Sequence, residues 1–183
     1  WTDPTKKKAE ELNNIQLMYL QNTVSPARLA GNVILVHESL NSTIEPRKAW
    51  SYNPGQRRTR RAPDIAYDNP GFNTDGMSTA DAFTGFNGAL DRYDWSFKGK
   101  TVKFVPYNSY GVVNSKYADL IKPKHLNQDL VRYEPHRVYT VEAKLKAGQR
   151  HVYARRTLHI DEDSWGIVAG ELYDGRGGLW RVQ

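Results

Sequence analysis

The chain contains no cysteine. That removes a disulfide framework, a Cys-ligated metal site and a thiol nucleophile, and it suits an oxidising compartment as well as cytosol. No apolar run approaches the ~20 residues that a membrane-spanning helix needs, and no signal-peptide pattern opens the chain. Catalytic signatures are equally scarce. None of the five histidines (His37, His125, His136, His151, His159) stands in an HExxH motif or beside a carboxylate at metal-ligand spacing. His151 and His159 read as two positions of one strand, roughly 26 Å apart and too distant to share an ion. Ser78, Ser109 and Ser164 lack the Gly-x-Ser-x-Gly elbow. Gly175, Gly177 and Gly178 precede a strand end, where a phosphate loop would need a helix. We therefore expect no catalytic residue, no metal and no cofactor.

What is present is a chain of 183 residues, long enough for a real core. We expect a single domain over 1–183, with 1–14 as a helical or flexible arm. Eleven tyrosines and five tryptophans supply side chains with an apolar body and a polar tip, which suit half-buried sheet faces and ligand mouths. The net charge of +6 favours anionic partners. The chain opens on Trp1 and closes on Leu179-Trp180-Arg181-Val182-Gln183, which reads as a strand cut in mid-course; a fragment of a longer protein is the expectation.

Asp3-Pro4 could open a short helix through Asn14. Val33-Ile34-Leu35-Val36 reads as a buried strand. Ser78 looks like an N-cap with Asp81 three residues on, and Phe83, Phe86, Leu90 and Tyr93 recur at helical spacing, so a helix is expected there despite Gly85 and Gly88. Tyr93–Phe97, a Lys98-Gly99-Lys100 turn and Thr101–Val105 read as a hairpin. Four strands follow, from Arg137–Leu145, Val152–Ile160, Trp165–Tyr173 and Leu179–Val182, with Asp161-Glu162-Asp163-Ser164 as one of the turns. Consecutive strands without intervening helices make an antiparallel meander. The fold class is mainly β with minor α.

The segment Arg47–Asp68 reads RKAWSYNPGQRRTRRAPDIAYD. Alternation puts Trp50 and Tyr52 on one strand face, and Asn53-Pro54-Gly55 turns the chain. Gln56, Arg58 and Arg60 then share one face of the returning strand, with Arg57, Thr59 and Arg61 on the other. The arginines could grip phosphates, or could simply guard a solvated edge strand. Nucleic acid is disfavoured, because the aromatics that interleave with basic residues in RNA-binding modules are missing. The cluster Asp161-Glu162-Asp163 could do acid–base work or bind calcium, but turn chemistry explains it better.

Several segments resemble the Gram-negative family called domain of unknown function 1329, labelled outer membrane lipoprotein-sorting-like. They are RKAWSYNPGQRRTRRAP (47–63), AYDNP (66–70), FNGALDRYDW (86–95), GKTVKFVPYNSY (99–110), RYEPHRVYTVEAKLKAGQRHVYARRTLHIDEDSW (132–165) and YDGRGGLWR (173–181). The resemblance implies a longer, secreted, periplasmic protein with a lipoprotein-carrier-like fold: an incomplete, half-open antiparallel barrel around or against a short helix, shielding an acyl chain on its concave side. It brings no catalytic residues. Trp50, Tyr52, Trp95, Phe104, Tyr107, Tyr139 and Trp165 are the residues expected to line or rim such a groove, with Arg58 and Arg60 meeting an anionic headgroup or a partner protein. The expected partners are a lipid or acylated cargo, an envelope exporter or outer-membrane protein, and a second copy paired through open strand edges. Three readings follow: a non-enzymatic carrier, an adaptor docking on an envelope export complex, and a lipid-ester hydrolase using Asp161 and Asp163.

Overall fold

The computed structural model of the protein describes residues 9–62, 67–72, 74–123 and 125–183. The helix expected from Asp3-Pro4 begins outside these residues; within them, Ala9–Leu12 forms one 3-10 turn. By internal contacts the chain divides into two compact units, Trp1–Arg92 and Tyr93–Gln183.

The N-terminal unit is built on a four-stranded antiparallel sheet, β1 (Ile15–Asn22), β2 (Val33–Ser39), β3 (Lys48–Asn53) and β4 (Arg58–Ala62), in that spatial order. The β-branched residues of β2 suit a pleated surface, and their burial alternates: Ile34, Val36 and Glu38 are buried, with Val33, Leu35 and His37 half-buried between them. Tyr19, Val36, Ala49 and Ala62 fall in one cross-strand row. With Ile34 they form the core of this unit.

The structure corrects the helix expected over Ser78–Asp94: Ser78–Arg92 run through turns and bends. Thr84 and Gly85 take φ of +53° and +93°, which no right-handed helix contains. Arg47, just before β3, collects the carbonyls of Ala80 and Asn87, both at 2.9 Å. Phe83 stacks on Tyr19 at the core face with centroids 6.4 Å apart, whereas Leu90 is largely exposed, so the helical spacing does not gather these side chains on one face. Two glycines at about 1 kcal/mol each outweighed the periodicity.

The C-terminal unit opens on β5 (Tyr93–Pro106). Two helical turns follow, α1 (Tyr110–Asn114) and α2 (Tyr117–Leu120), then a two-residue ladder of β6 (Ile121–Lys122) with β7 (His125–Leu126). The chain continues as β8 (Tyr133–Leu145), β9 (Arg155–Asp161), β10 (Ile167–Tyr173) and β11 (Leu179–Val182). These four and β5 make a five-stranded antiparallel sheet in the order β11-β10-β9-β8-β5.

The hairpin expected at Lys98-Gly99-Lys100 is also corrected. β5 is one unbroken strand, and the glycine marks a bulge where pairing slips from Phe97↔Val141 to Gly99↔Thr140. Gly99 has φ +112°, a conformation that side chains resist. The extra residue resets the alternation. Trp95 and Phe97 before it, and Val102 and Phe104 after it, therefore share one face with Tyr139, Val141 and Leu158. β9 starts at Arg155, three residues later than expected, which leaves His151 outside the strand that holds His159. Mainly β, antiparallel and unclosed, the two sheets agree with the expected fold class.

Candidate functional site

The sheet of the N-terminal unit has two faces, and only one carries the core. On the other, side chains form three cross-strand rows: Met18, His37 and Lys48; Leu20, Leu35, Trp50 and Arg61; Asn22, Val33, Tyr52 and Thr59. Leu20 is 68% exposed and Met18 53%. Leu20, Val33, Leu35, His37, Trp50 and Tyr52, with Thr59, line a groove of about 440 Å³. The His37 ring meets the Trp50 ring edge-on at 4.8 Å, which fixes the floor of the groove. Polarity enters at the margins, through Thr59, through Lys48 in an ion pair with Glu45, and through Arg61.

On the core face a second cavity of about 710 Å³ lies between the sheet and the irregular segment, lined by Tyr19, Ile34, Val36, Ala62, Phe72 and Phe83 among others. Its wall also carries Arg47, whose Nε donates to Glu38 Oε2 at 2.7 Å.

In the C-terminal unit an aromatic ladder runs over the face shared by Trp95 and Phe104. Phe97 lies 6.1 Å from Tyr139, and Tyr139 stacks on Trp165 at 5.5 Å. Lys100 Nζ sits 5.1 Å above the Tyr139 ring. Phe97, Phe104 and Trp165 are all largely exposed, so the ladder presents its apolar surface outward.

The opposite face of this sheet carries a polar cluster. His136 Nδ1 lies 2.8 Å from Asp161 Oδ1, while Asp161 Oδ2 accepts from Ser164 N at 2.9 Å and from Ser164 Oγ at 2.7 Å. The fold brings together a histidine and a carboxylate 25 residues apart because β8 pairs with β9, and Glu134, two residues from His136 on the same strand, lies 3.8 Å from its Nε2. Burial works to raise the Asp161 carboxyl, but the Ser164 hydroxyl, the Ser164 amide and His136 outweigh it and hold it below the ordinary value. Donor atoms of His136, Asp161 and Asp163 lie within 4.8 Å of one another and could reach a cation. Asp161 is nonetheless fully engaged as the cap of its own turn, the role expected from turn chemistry. Nor is this a hydrolase triad, since the serine hydroxyl meets the carboxylate and not the imidazole. Glu162 is taken by Arg137 at 2.6 Å and by Lys100.

The expected site residues thus divide. Trp50 and Tyr52 share the groove of the N-terminal unit. Trp95, Phe104, Tyr139 and Trp165 share the ladder face of the C-terminal unit. Tyr107 stands apart on the polar side, its ring stacked on His136 at 4.0 Å. Arg58 and Arg60 pair with Asn53 and Ser51, on the sheet face turned away from Trp50; Arg61 pairs with Trp50 itself. Leu20, Val33, Leu35 and His37 complete the groove and were not singled out from the sequence. For Val33, Leu35 and His37 the available signal is the alternation of β2, obscured because Val33-Ile34-Leu35-Val36 is apolar on both faces; Leu20 belongs to β1.

A family model described as "Protein of unknown function (DUF1329)" matches residues 1–183. An uncharacterized Pseudomonas aeruginosa protein is 54% identical over 172 residues, covering 93% of this chain and 38% of the relative. The chain thus spans well under half the length of that relative. A DUF1329 family protein from Desulfovibrio piger, solved by crystallography, is similar with TM-score 0.52 at 17% identity, over 89% of this chain and 54% of that one. A Vibrio parahaemolyticus domain named for outer membrane lipoprotein sorting gives TM-score 0.49 at 16% identity, over 89% and 53%. Matched from its first residue to its last, the chain belongs to the DUF1329 family.

Proposed function

We propose that the protein is a non-enzymatic periplasmic carrier that binds a lipid or a lipoprotein acyl chain for delivery to the outer membrane. One observation carries this reading: Leu20, Leu35, Trp50 and Tyr52 form an apolar track on a sheet face whose reverse already holds the core of its unit. Such a face gains about 0.8 kcal/mol for each methylene it removes from water. Trp95, Phe104, Tyr139 and Trp165 supply a second apolar face of the same character. The compartment is supported by the family resemblance, and a chain without cysteine suits it. Native mass spectrometry of the protein released from its own envelope without detergent tests the proposal. Adducts that leave on denaturation and extract as lipid are expected, and the L35A/W50A variant should carry several-fold less while keeping its circular dichroism. A bare mass that persists after incubation with envelope lipids would overturn it.

A second reading, an adaptor docking on an envelope export complex, is favoured by the arginine block. Arg57, Arg58, Arg60 and Arg61 are all exposed, and none has an ion-pair partner among the described residues. Reversing all four charges should then abolish co-purification of the exporter without changing lipid content. In the same reading the outer strands of the two sheets offer a route to self-association, checked by sedimentation.

A further inference from the structure

The outer face of the N-terminal sheet is graded in one direction. Its middle row is apolar on three strands, at Leu20, Leu35 and Trp50, and cationic on the fourth, at Arg61. Neighbouring strands lie about 4.8 Å apart, so the row is roughly 14 Å from end to end. The flanking rows lack this polarity. Lys48 is neutralised by Glu45, His37 packs against Trp50, and the third row ends at Thr59. Arg61 is exposed, and no described residue forms an ion pair with it. It is the direct cross-strand partner of Trp50, the position from which side chains on one face can reach each other. A guanidinium is a planar fork that matches the oxygens of a phosphate or carboxylate, and Thr59, two residues back on the same face, adds a hydroxyl.

We infer that the cargo is an anionic amphiphile, its acyl chain laid along Leu20, Leu35 and Trp50 and its acidic head held by Arg61. The inference rests on the carrier reading and adds to it the class of the cargo and the polarity of its seat. A guard against edge-to-edge sheet pairing would need Arg61 to be charged but would give it no preference among ligands.

The test is equilibrium binding of the full chain to four probes: decyl phosphate, decanoate, decyl glucoside and inorganic phosphate. Wild type should bind the two anionic amphiphiles about 10-fold or more tighter than the glucoside, and inorganic phosphate far more weakly than either. R61Q should bring the anionic probes down to the level of the glucoside and leave the glucoside unchanged. R176Q, which removes a charge at an exposed turn of the C-terminal unit, corrects for net charge. Equal binding of all three amphiphiles to wild type, or a preference that survives in R61Q, would overturn the inference while leaving the carrier reading intact. So would loss of the preference in R58Q/R60Q, which would move the head to the opposite face. Inorganic phosphate bound as tightly as decyl phosphate would overturn it too, by making this a free-anion site. Binding of no amphiphile at all would instead sink the carrier reading beneath it.

Discussion

Arg47 Nε donates to Glu38 Oε2 at 2.7 Å, with the two side chains 6% and 10% exposed. The pair sits where the core face of the N-terminal sheet meets the irregular segment, and the other guanidinium nitrogens reach Ala80 O and Asn87 O. Arg47 thus ties both ends of residues 80–87 to the sheet, while turn bonds such as Gly85 N to Ala82 O and Asn87 N to Asp81 O hold the segment between them.

Truncating it should be costly. R47A leaves the Glu38 charge buried without its partner and two carbonyls without donors, and we expect a loss of about 3–5 kcal/mol in urea unfolding. The double variant E38L/R47M removes both charges and should lose less. An R47A loss under about 1 kcal/mol would show that the segment is held by apolar packing alone.

The His159 imidazole is 5% exposed, and burial, then the charge of Lys103, hold it below its ordinary value against the pull of Glu171. The unfolded chain therefore takes up this proton first. The stability that the neutral ring contributes is complete above about pH 6.5 and declines as pH falls from there toward the folded value. Thermal midpoints of wild type should drop relative to H159Q across this range. Parallel curves would show that the folded ring titrates normally.

Asp161 acts at lower pH. Its carboxyl is held below the ordinary value of about 3.9, so its contribution is present above that value and is lost as pH falls through the folded one. D161N, which cannot titrate, should be the weaker protein at neutral pH and show the shallower loss on acidification. Urea midpoints measured down to about pH 2.5 decide this, and identical acid limbs would remove Asp161 from the account.

G99A isolates backbone strain, because nothing lies within 4 Å of the place its Cβ would take. With φ at +112°, the substitution should cost about 1–3 kcal/mol. It should also weaken the aromatic face, since the bulge is what brings Phe97 and Phe104 to the same side. Unchanged stability would mean that the bulge migrates along β5.

Much of the fold could be read locally. β2, β3, β8, β10 and β11 announce themselves by β-branched and aromatic residues between turn formers, and the Asp161–Ser164 turn by its hydrogen-bonding side chains. The failures share a cause. The spacing of Phe83, Phe86, Leu90 and Tyr93 fits a helix, yet the fold does not gather these side chains on one face, and Arg47 tips the balance from outside the segment. Gly99 between two lysines fits a turn or a bulge equally, and only the continuous partner strand β8 chooses the bulge.

The candidate groove divides in the same way. Sequence alone determined that Trp50 and Tyr52 share a face and that the arginines alternate, because side-chain direction along a strand has a period of two. Which arginines join the aromatics depends on the parity of the loop. The turn takes four residues, Pro54–Arg57, closing on Arg57 at φ +50°, so that Trp50 meets Arg61. A turn one residue shorter would have brought Arg60 to that place, and one residue longer, Ala62. The meeting of His136 with Asp161 was likewise decided by the pairing of β8 with β9. Local alternation is written in each strand, whereas register is a property of two strands together, and only the assembled sheet contains it.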